Sequence, residues 1–296
     1  MILIMGSLQL GLLYAIMALG IYITFRILNL PDLTVDGSFS LGMACAAVVT
    51  ISGHPFLALP VAILAGALAG CTTGLLQTKL NIHPILSGIL VMTALYTVNL
   101  GIMGGKANLS IVGNETIFTK IETIITVQNG MNKTLLALFI CIIITVILAI
   151  AFKTRFGLAI RATGDNEEMV RSSSINANLS KCIGLSMGNA CVALSGALIC
   201  QYQMFSDVGS GSGMVVIGLA SVIIGEALFG KRSVTIGLIS AATGSIIYRI
   251  IIALALKIDL LPSYALKLIS AIIVTVALSL PSIKAKIKQN KIKGEE

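Results

Sequence analysis

The chain has 296 residues, 56% of them hydrophobic and only 11% charged, where a soluble domain carries about 25% charge. With a mean hydropathy of +1.00, its surface cannot be fully solvated, which excludes a soluble globular protein, a disordered chain and a secreted disulfide scaffold. The net charge of +8 includes five lysines in the last 13 residues and others at the ends of apolar runs, so it reads as membrane topology and not as a nucleic-acid footprint.

In chain order, the uncharged runs predict about nine transmembrane helices (eight to ten), an all-α polytopic membrane protein. The first is Ile2–Phe25, ending at Arg26. It lacks a basic flank and is long for a signal peptide, so it reads as a span. The second is Gly37–Ser52, with Asp36 as its expected N-cap. The third, Pro55–Leu76, carries Gly66, Gly70 and Gly74 at four-residue spacing, a stripe that lets another helix backbone approach closely. The fourth is His83–Met103, followed by a mixed polar segment over 104–133. The fifth is Thr134–Phe152, and a charged segment, 153–181, separates it from the sixth, Cys182–Gln203. The seventh, Gly213–Phe229, and the eighth, Ser233–Leu256, precede a ninth at Leu260–Leu280. The second and seventh are short and Gly-rich, so each is a candidate for a tilted, broken or re-entrant helix. Residues 1–280 thus form one membrane domain and 281–296 a basic tail.

With the tail placed in the cytoplasm, 14 of the 20 Lys and Arg fall inside, 4 outside and 2 within spans. This asymmetry puts the N-terminus outside and the 153–181 segment inside. Six cysteines are scattered through apolar runs without a C-x-x-C pair, and His54 and His83 are far apart, so neither disulfides nor a metal site is expected. Gly225 to Arg232 nearly matches a P-loop, but Arg232 stands where a Ser or Thr would hold magnesium and no strand precedes it. ATP hydrolysis by this chain is therefore not expected.

The 153–181 segment is far longer than a simple connection requires. Asp165, Glu167 and Glu168 suit the start of a short helix near 165–174, with Asn166 or Asp165 as its N-cap. Met169 and Val170 would offer apolar contacts, and Glu167, Glu168 and Arg171 charged ones. Within this segment, Gly157-x-x-x-Arg161-Ala162-x-Gly164-x-Asn166 resembles the coupling loop of ATP-binding cassette importer permeases of the branched-chain amino acid and ribose type. The likeness continues through Leu185 to Ala197 and Val216 to Glu226. Leu30 to Ser38 and Leu86 to Thr93 resemble the permeases of tryptophan/tyrosine import systems.

The resemblance implies a division of labour. Two permease copies, economically a homodimer, would line a path across a bacterial cell membrane. Cytoplasmic ATPase subunits carrying ATP and Mg would dock on the coupling helix, contacting Arg161, Gly164, Asp165, Asn166, Glu167, Glu168 and Arg171. An extracytoplasmic binding protein would deliver the solute, and this chain itself would bind no cofactor. Arg161 is expected to pin the loop by bonding helix-end carbonyls or a carboxylate. Ser172-Ser173-Ser174 stands where related permeases often have a Gly-containing turn, which leaves the end of the coupling helix open.

Ionisable residues within spans are costly and often functional. Lys267 is expected to snorkel to the outer interface, Arg249 to pair with a carboxylate or carbonyls, and Glu226 to lie at the interface or pair with Lys231 or Arg232. For the translocation path the candidates are Asp36, Ser38, Ser87, Thr93, Tyr96, Asn99 and Asn189. Thr93, Tyr96 and Thr97 share one helical face, with Ser87 and Asn99 elsewhere. Interhelical hydrogen bonding is the plainer explanation for most of them. The competing function is a secondary transporter driven by an ion gradient, although neither an inverted repeat nor a charge relay stands out.

Overall fold

The computed structural model describes residues 2–124, 131–230 and 233–257, together with Leu268, Ala271, Ile272, Thr275 and Ser279. Among these residues, eight helices are long and apolar enough to cross a membrane. They are α1 (Ile2–Tyr22, continued by a π-helical turn Ile23–Ile27), α2 (Thr34–Ile51), α3 (Ala58–Lys79), α4 (Pro84–Ile102), α6 (Met131–Ala151), α9 (Ala177–Gln203), α10 (Met214–Phe229) and α11 (Val234–Lys257). Between them lie a short helix α5 (Ile117–Ile124) and the pair α7 (Arg155–Asp165) and α8 (Glu167–Ser172). A small antiparallel ribbon pairs β1 (Asn108–Ser110) with β2 (Phe205–Asp207). The polytopic all-α fold expected from composition is what is found. Most of the ninth run at Leu260–Leu280, Lys267 included, and the tail 281–296 lie outside the described residues, as do Lys231 and Arg232.

The centre of the bundle is α1, α2 and α9, with α3 laid along α9 and α11 along α1. These central helices close up because small residues face each other. A Cβ added at Gly66, Gly70 or Gly74 of α3 would strike Asn189 and Ala193, Leu185, or Cys182, all on α9. The four-residue glycine stripe is thus the α3 face that receives α9. Gly42 of α2 meets the Ala193 carbonyl in the same way, and Gly196 of α9 meets that of Phe39. At 27 residues, α9 runs about 40 Å at 1.5 Å per residue, long enough to overreach a bilayer core of ~30 Å. The peripheral helices carry large apolar side chains outward, among them Leu64, Leu68, Phe139 and Ile150, as lipid contact requires.

The second predicted span begins earlier than expected. Asp32 Oδ1 accepts the Thr34 backbone N–H at 2.9 Å, so the helix starts at Thr34 and Asp36 already lies in its first turn. The seventh predicted span, Gly213–Phe229, is continuous as α10, and the irregular turn lies just before it. The chain makes a 3₁₀ turn over Val208–Gly211, passes through Gly213 at φ +88°, and only then enters α10.

Candidate functional site

A cavity of about 360 Å³ opens where the first turns of α2 meet α4 and the 3₁₀ turn before α10. Asp36, Gly37 and Ser40 of α2 form one wall, and Met92, Thr93, Tyr96 and Asn99 of α4 the opposite one. Val208, Gly209 and Ser212 complete it. Met92, Tyr96 and Asn99 are spaced i, i+4, i+7, one stripe of a helix, so Asn99 shares the wall with Thr93 and Tyr96 and does not face elsewhere as the sequence reading had it. Tyr96 is 54% exposed, and its ring is the main aromatic surface of the cavity.

Asp36 is not the N-cap of its own helix. Its Oδ2 accepts the N–H of Gly213 and its Oδ1 that of Val215, each at 2.9 Å. It therefore caps α10 from 177 residues away in sequence. The reason is local: the N-cap position of α10 is Gly213, which has no side chain to offer, and the first N–H groups of a helix must be satisfied by something. Ser40 serves the same junction. Its Oγ donates to the Val208 carbonyl at 2.8 Å and accepts the Gly211 N–H at 3.0 Å. Ser40 and the Val208–Ser212 turn escaped the sequence reading, and the Gly-rich run at 209–213 was their one available signal.

Two other predicted path residues belong to a buried chain beside the cavity. Ser38 Oγ donates to Asn189 Oδ1 at 2.7 Å, and Asn189 Nδ2 donates to Asp32 Oδ2 at 2.7 Å and to the Leu185 carbonyl at 3.0 Å. Ser38, Asn189 and Asp32 are each at most 1% exposed, so this chain ties α2 to α9. Ser87, also buried, donates to the Pro84 carbonyl of its own helix and does not line the cavity.

The second candidate region is α7–α8. Asn166, not Asp165, caps α8, its Oδ1 accepting the Met169 N–H at 3.0 Å. Asn176 caps α9 through the Leu179 N–H at 3.0 Å. Between the two, Ser174 takes the left-handed conformation (φ +60°) that a glycine would adopt more cheaply. Glu167 is the hub: it accepts from Arg171 Nη2 at 2.8 Å and from Lys181 Nζ at 2.5 Å. Partial burial pushes the Glu167 carboxyl up, but the hydrogen bonds and charges of Lys181 and Arg171 outweigh it and hold it below its ordinary value. Arg171 also donates to Asn178 Oδ1 at 2.9 Å.

Gly164 sits against the Ile27 carbonyl and Leu28, where any side chain would collide, and so seats α7 on the turn after α1. Asp165 and Glu168 are exposed. Met169 is exposed at 66%, whereas Val170 is buried at 4%, so only Met169 offers an apolar contact. Arg161 is exposed and makes no hydrogen bond or ion pair among the described residues; it does not pin the loop as expected, because Gly164 and Glu167 already do.

The intramembrane charges also find unexpected partners. Glu226 pairs with Arg26 at the end of α1. Arg249 lies over the Tyr14 ring, 3.6 Å from its centroid, a cation–π contact where a carboxylate or carbonyls were expected.

Among known proteins, the family described as branched-chain amino acid transport system / permease component matches residues 3–278. A tyrosine transport system permease protein of Clostridioides difficile is 38% identical, over 96% of this chain and 92% of that one. A probable branched-chain amino acid transport permease protein of Methanocaldococcus jannaschii is 24% identical over 86% of this chain and 87% of its own length. A ribose import permease protein of Haemophilus influenzae is 25% identical over 77% and 70%. No solved structure matches. A match over nearly the whole chain, joined to eight membrane-capable helices, places this protein in the branched-chain amino acid transport permease family, as a multi-pass membrane component of a transport system.

Proposed function

We propose that the chain is the membrane subunit of an ATP-driven importer that carries an amino acid inward, an aromatic one by analogy with the tyrosine permease relative. Two copies form the path. Cytoplasmic ATPase subunits, which hold ATP and Mg, dock on α7–α8, and an external binding protein hands over the solute. The tail and α7–α8 face the cytoplasm, and the cavity faces the path.

The observation that carries this reading is the construction of α7–α8. A short helix with an exposed Met169 and a charged face stands between two spans, and it is tied at both ends. Gly164 seats it on α1, while Glu167 to Lys181 and Arg171 to Asn178 tie it to α9. A displacement of α8 therefore moves α9. From there a continuous set of contacts leads to the cavity: Asn189 to Ser38 and Asp32, then Asp36 to the start of α10. This is a physical route by which ATP-driven closure outside the membrane reshapes a site within it.

The test is purification from the native membrane in mild detergent, with uptake measured in vesicles. A P-loop ATPase should co-purify and be lost on combined substitution of Glu168, Met169 and Arg171, and uptake should require ATP. Uptake that runs on an ion gradient without ATP would replace this reading with that of a secondary transporter.

A further inference from the structure

The regular helix of α1 gives way to a π-helical turn at Ile23–Ile27, a geometry frequent at functional sites. Two elements are fastened to that turn. On one side Gly164 of α7 sits directly against the Ile27 carbonyl. On the other, Arg26 Nη2 donates to Glu226 Oε2 of α10. The Glu226 side chain is only 9% exposed and that of Arg26 37%, so the pair is partly withdrawn from water and is screened less than a surface pair. Helix α10 is thereby held at both ends. Glu226 lies within one turn of its last residue, Phe229, and its first N–H groups are held by Asp36 at the cavity wall. Its 16 residues span about 24 Å at 1.5 Å per residue. Along that length Gly218 receives the Ile21 side chain of α1, and Gly225 meets the Ser240 carbonyl of α11. Apolar contact of the Ile21 kind is non-directional, whereas a charge-assisted hydrogen bond fixes the register of the two helix ends.

We propose that Arg26 and Glu226 are positioning residues for transport: their ion pair passes a movement of α7, through the π-helical turn, to α10 and so to the cavity. α7 and the turn touch so closely at Gly164 and Ile27 that they shift together. Arg26 carries Glu226 with it, and α10 delivers the shift to its other end, where Asp36 and Ser212 line the cavity. This route runs beside the one through α8 and α9 and reaches the opposite side of Asp36. The inference rests on the ATP-driven reading above and names the contact that such a drive would use.

The test uses the full-length permease with its co-purifying ATPase in nanodiscs and reads the cavity end of α10 without needing a solute. Ser212 is exposed, so Ser212→Cys is labelled with a water-soluble maleimide, and the chain without that cysteine gives the background. Labelling rates are compared between the nucleotide-free complex and the complex trapped with ATP and vanadate. With Arg26 and Glu226 intact, trapping should change the rate by about fivefold or more, the lower end of a coupling between sites. Arg26→Gln and Glu226→Gln should each reduce that change towards none, and the double variant should go no further, because the two act as one contact. Arg26→Lys, which keeps the charge, should retain much of the response. ATP hydrolysis and melting temperature should stay near those of the wild type in all of them, which a merely structural pair would not allow. An undiminished response in Arg26→Gln, additive losses in the double variant, or a Ser212→Cys rate indifferent to trapping with the pair intact would each overturn the proposal. Arg26→Gln against Arg26→Lys decides the matter even if Glu226→Gln does not fold. Absence of any co-purifying ATPase would instead remove the importer reading, and this inference with it.

Discussion

The cavity and the α7–α8 segment are both polar regions of an apolar protein, yet they are built on opposite plans. Around the cavity every decisive bond joins distant parts of the chain: Asp36 to Gly213 spans 177 residues and Asp32 to Asn189 spans 157. In α7–α8 the bonds are local, four residues from Glu167 to Arg171 and 14 from Glu167 to Lys181. The cavity bonds are also buried or half-buried, whereas in α7–α8 the Arg171 bonds are exposed and Glu167 to Lys181 is half-buried. A long-range buried bond makes helices move together. A local exposed one shapes a surface for something else to grip. The contrast predicts that stability is concentrated at the cavity and partner recognition at α7–α8.

The largest effect should come from Asp36→Leu. It strands the Gly213 and Val215 N–H groups at a helix start that has no side chain of its own to cap it. At about 1–3 kcal/mol for each unsatisfied buried donor, the loss is large beside a typical total stability. Thermal unfolding in detergent should show a marked drop, with uptake abolished. Asp36→Asn keeps one acceptor and should recover part of the stability. If Asp36→Leu melted like the wild type, the cap would be ornamental and the contrast with α7–α8 would collapse.

Next in size is Gly70→Leu on α3. A side chain there meets the Leu185 carbonyl and Ser186 of α9, and overpacking of this kind costs about 1–3 kcal/mol. The same change at Gly101, where nothing lies within 4 Å, should leave the melting temperature nearly unchanged. The pair separates glycines that carry helix contact from those that do not.

These two cases also mark what sequence alone could convey. The glycine stripe was legible because contact along a helix obeys a fixed period, and the cap of α8 was legible to within Asn166 or Asp165 because a cap lies next to what it caps. The eight described spans followed from apolar length. Asp36 was read wrongly for the same reason that the cap of α8 was narrowed to Asn166 or Asp165: a capping rule is local, and it assigned Asp36 to the helix beside it. Nothing along the chain announced that α10 lacks its own cap, or that Glu226 would meet Arg26 and Arg249 the Tyr14 ring. Asn99 was set apart from Thr93 and Tyr96 because a face was drawn from polar residues only. Met92, an apolar member of the wall, completes the stripe that unites them.

At α7–α8 the expected effects on stability are small. Exposed ion pairs contribute about 0–1 kcal/mol, so Arg171→Ala should shift the melting point slightly while sharply reducing co-purification of the ATPase. Gly164→Leu sharpens the distinction further. It drives α7 away from Ile27 and Leu28 and should uncouple ATP hydrolysis from uptake more than it lowers stability. If Arg171→Ala destabilised the chain as much as Asp36→Leu, the division of roles between the two regions would be wrong.

The smallest effect is the pH dependence of the Glu167 hub. Its carboxyl is held below the ordinary value of 4.5 by Lys181 and Arg171, which outweigh the opposing effect of partial burial. A carboxyl whose folded value is depressed binds its proton more weakly in the folded state than in the unfolded one. Its contribution to stability is therefore complete above the ordinary value and is lost as pH falls through the lower, folded value. The melting-point difference between wild type and Glu167→Gln should be constant from pH 8 down to about 5 and should close below the ordinary value of 4.5. A gap that opened or closed between pH 6 and 8 would point to a different titrating group and would remove Glu167 as the charged tie between α8 and α9. High salt should narrow the same gap at neutral pH, because the pairs lie near the surface where counterions reach them.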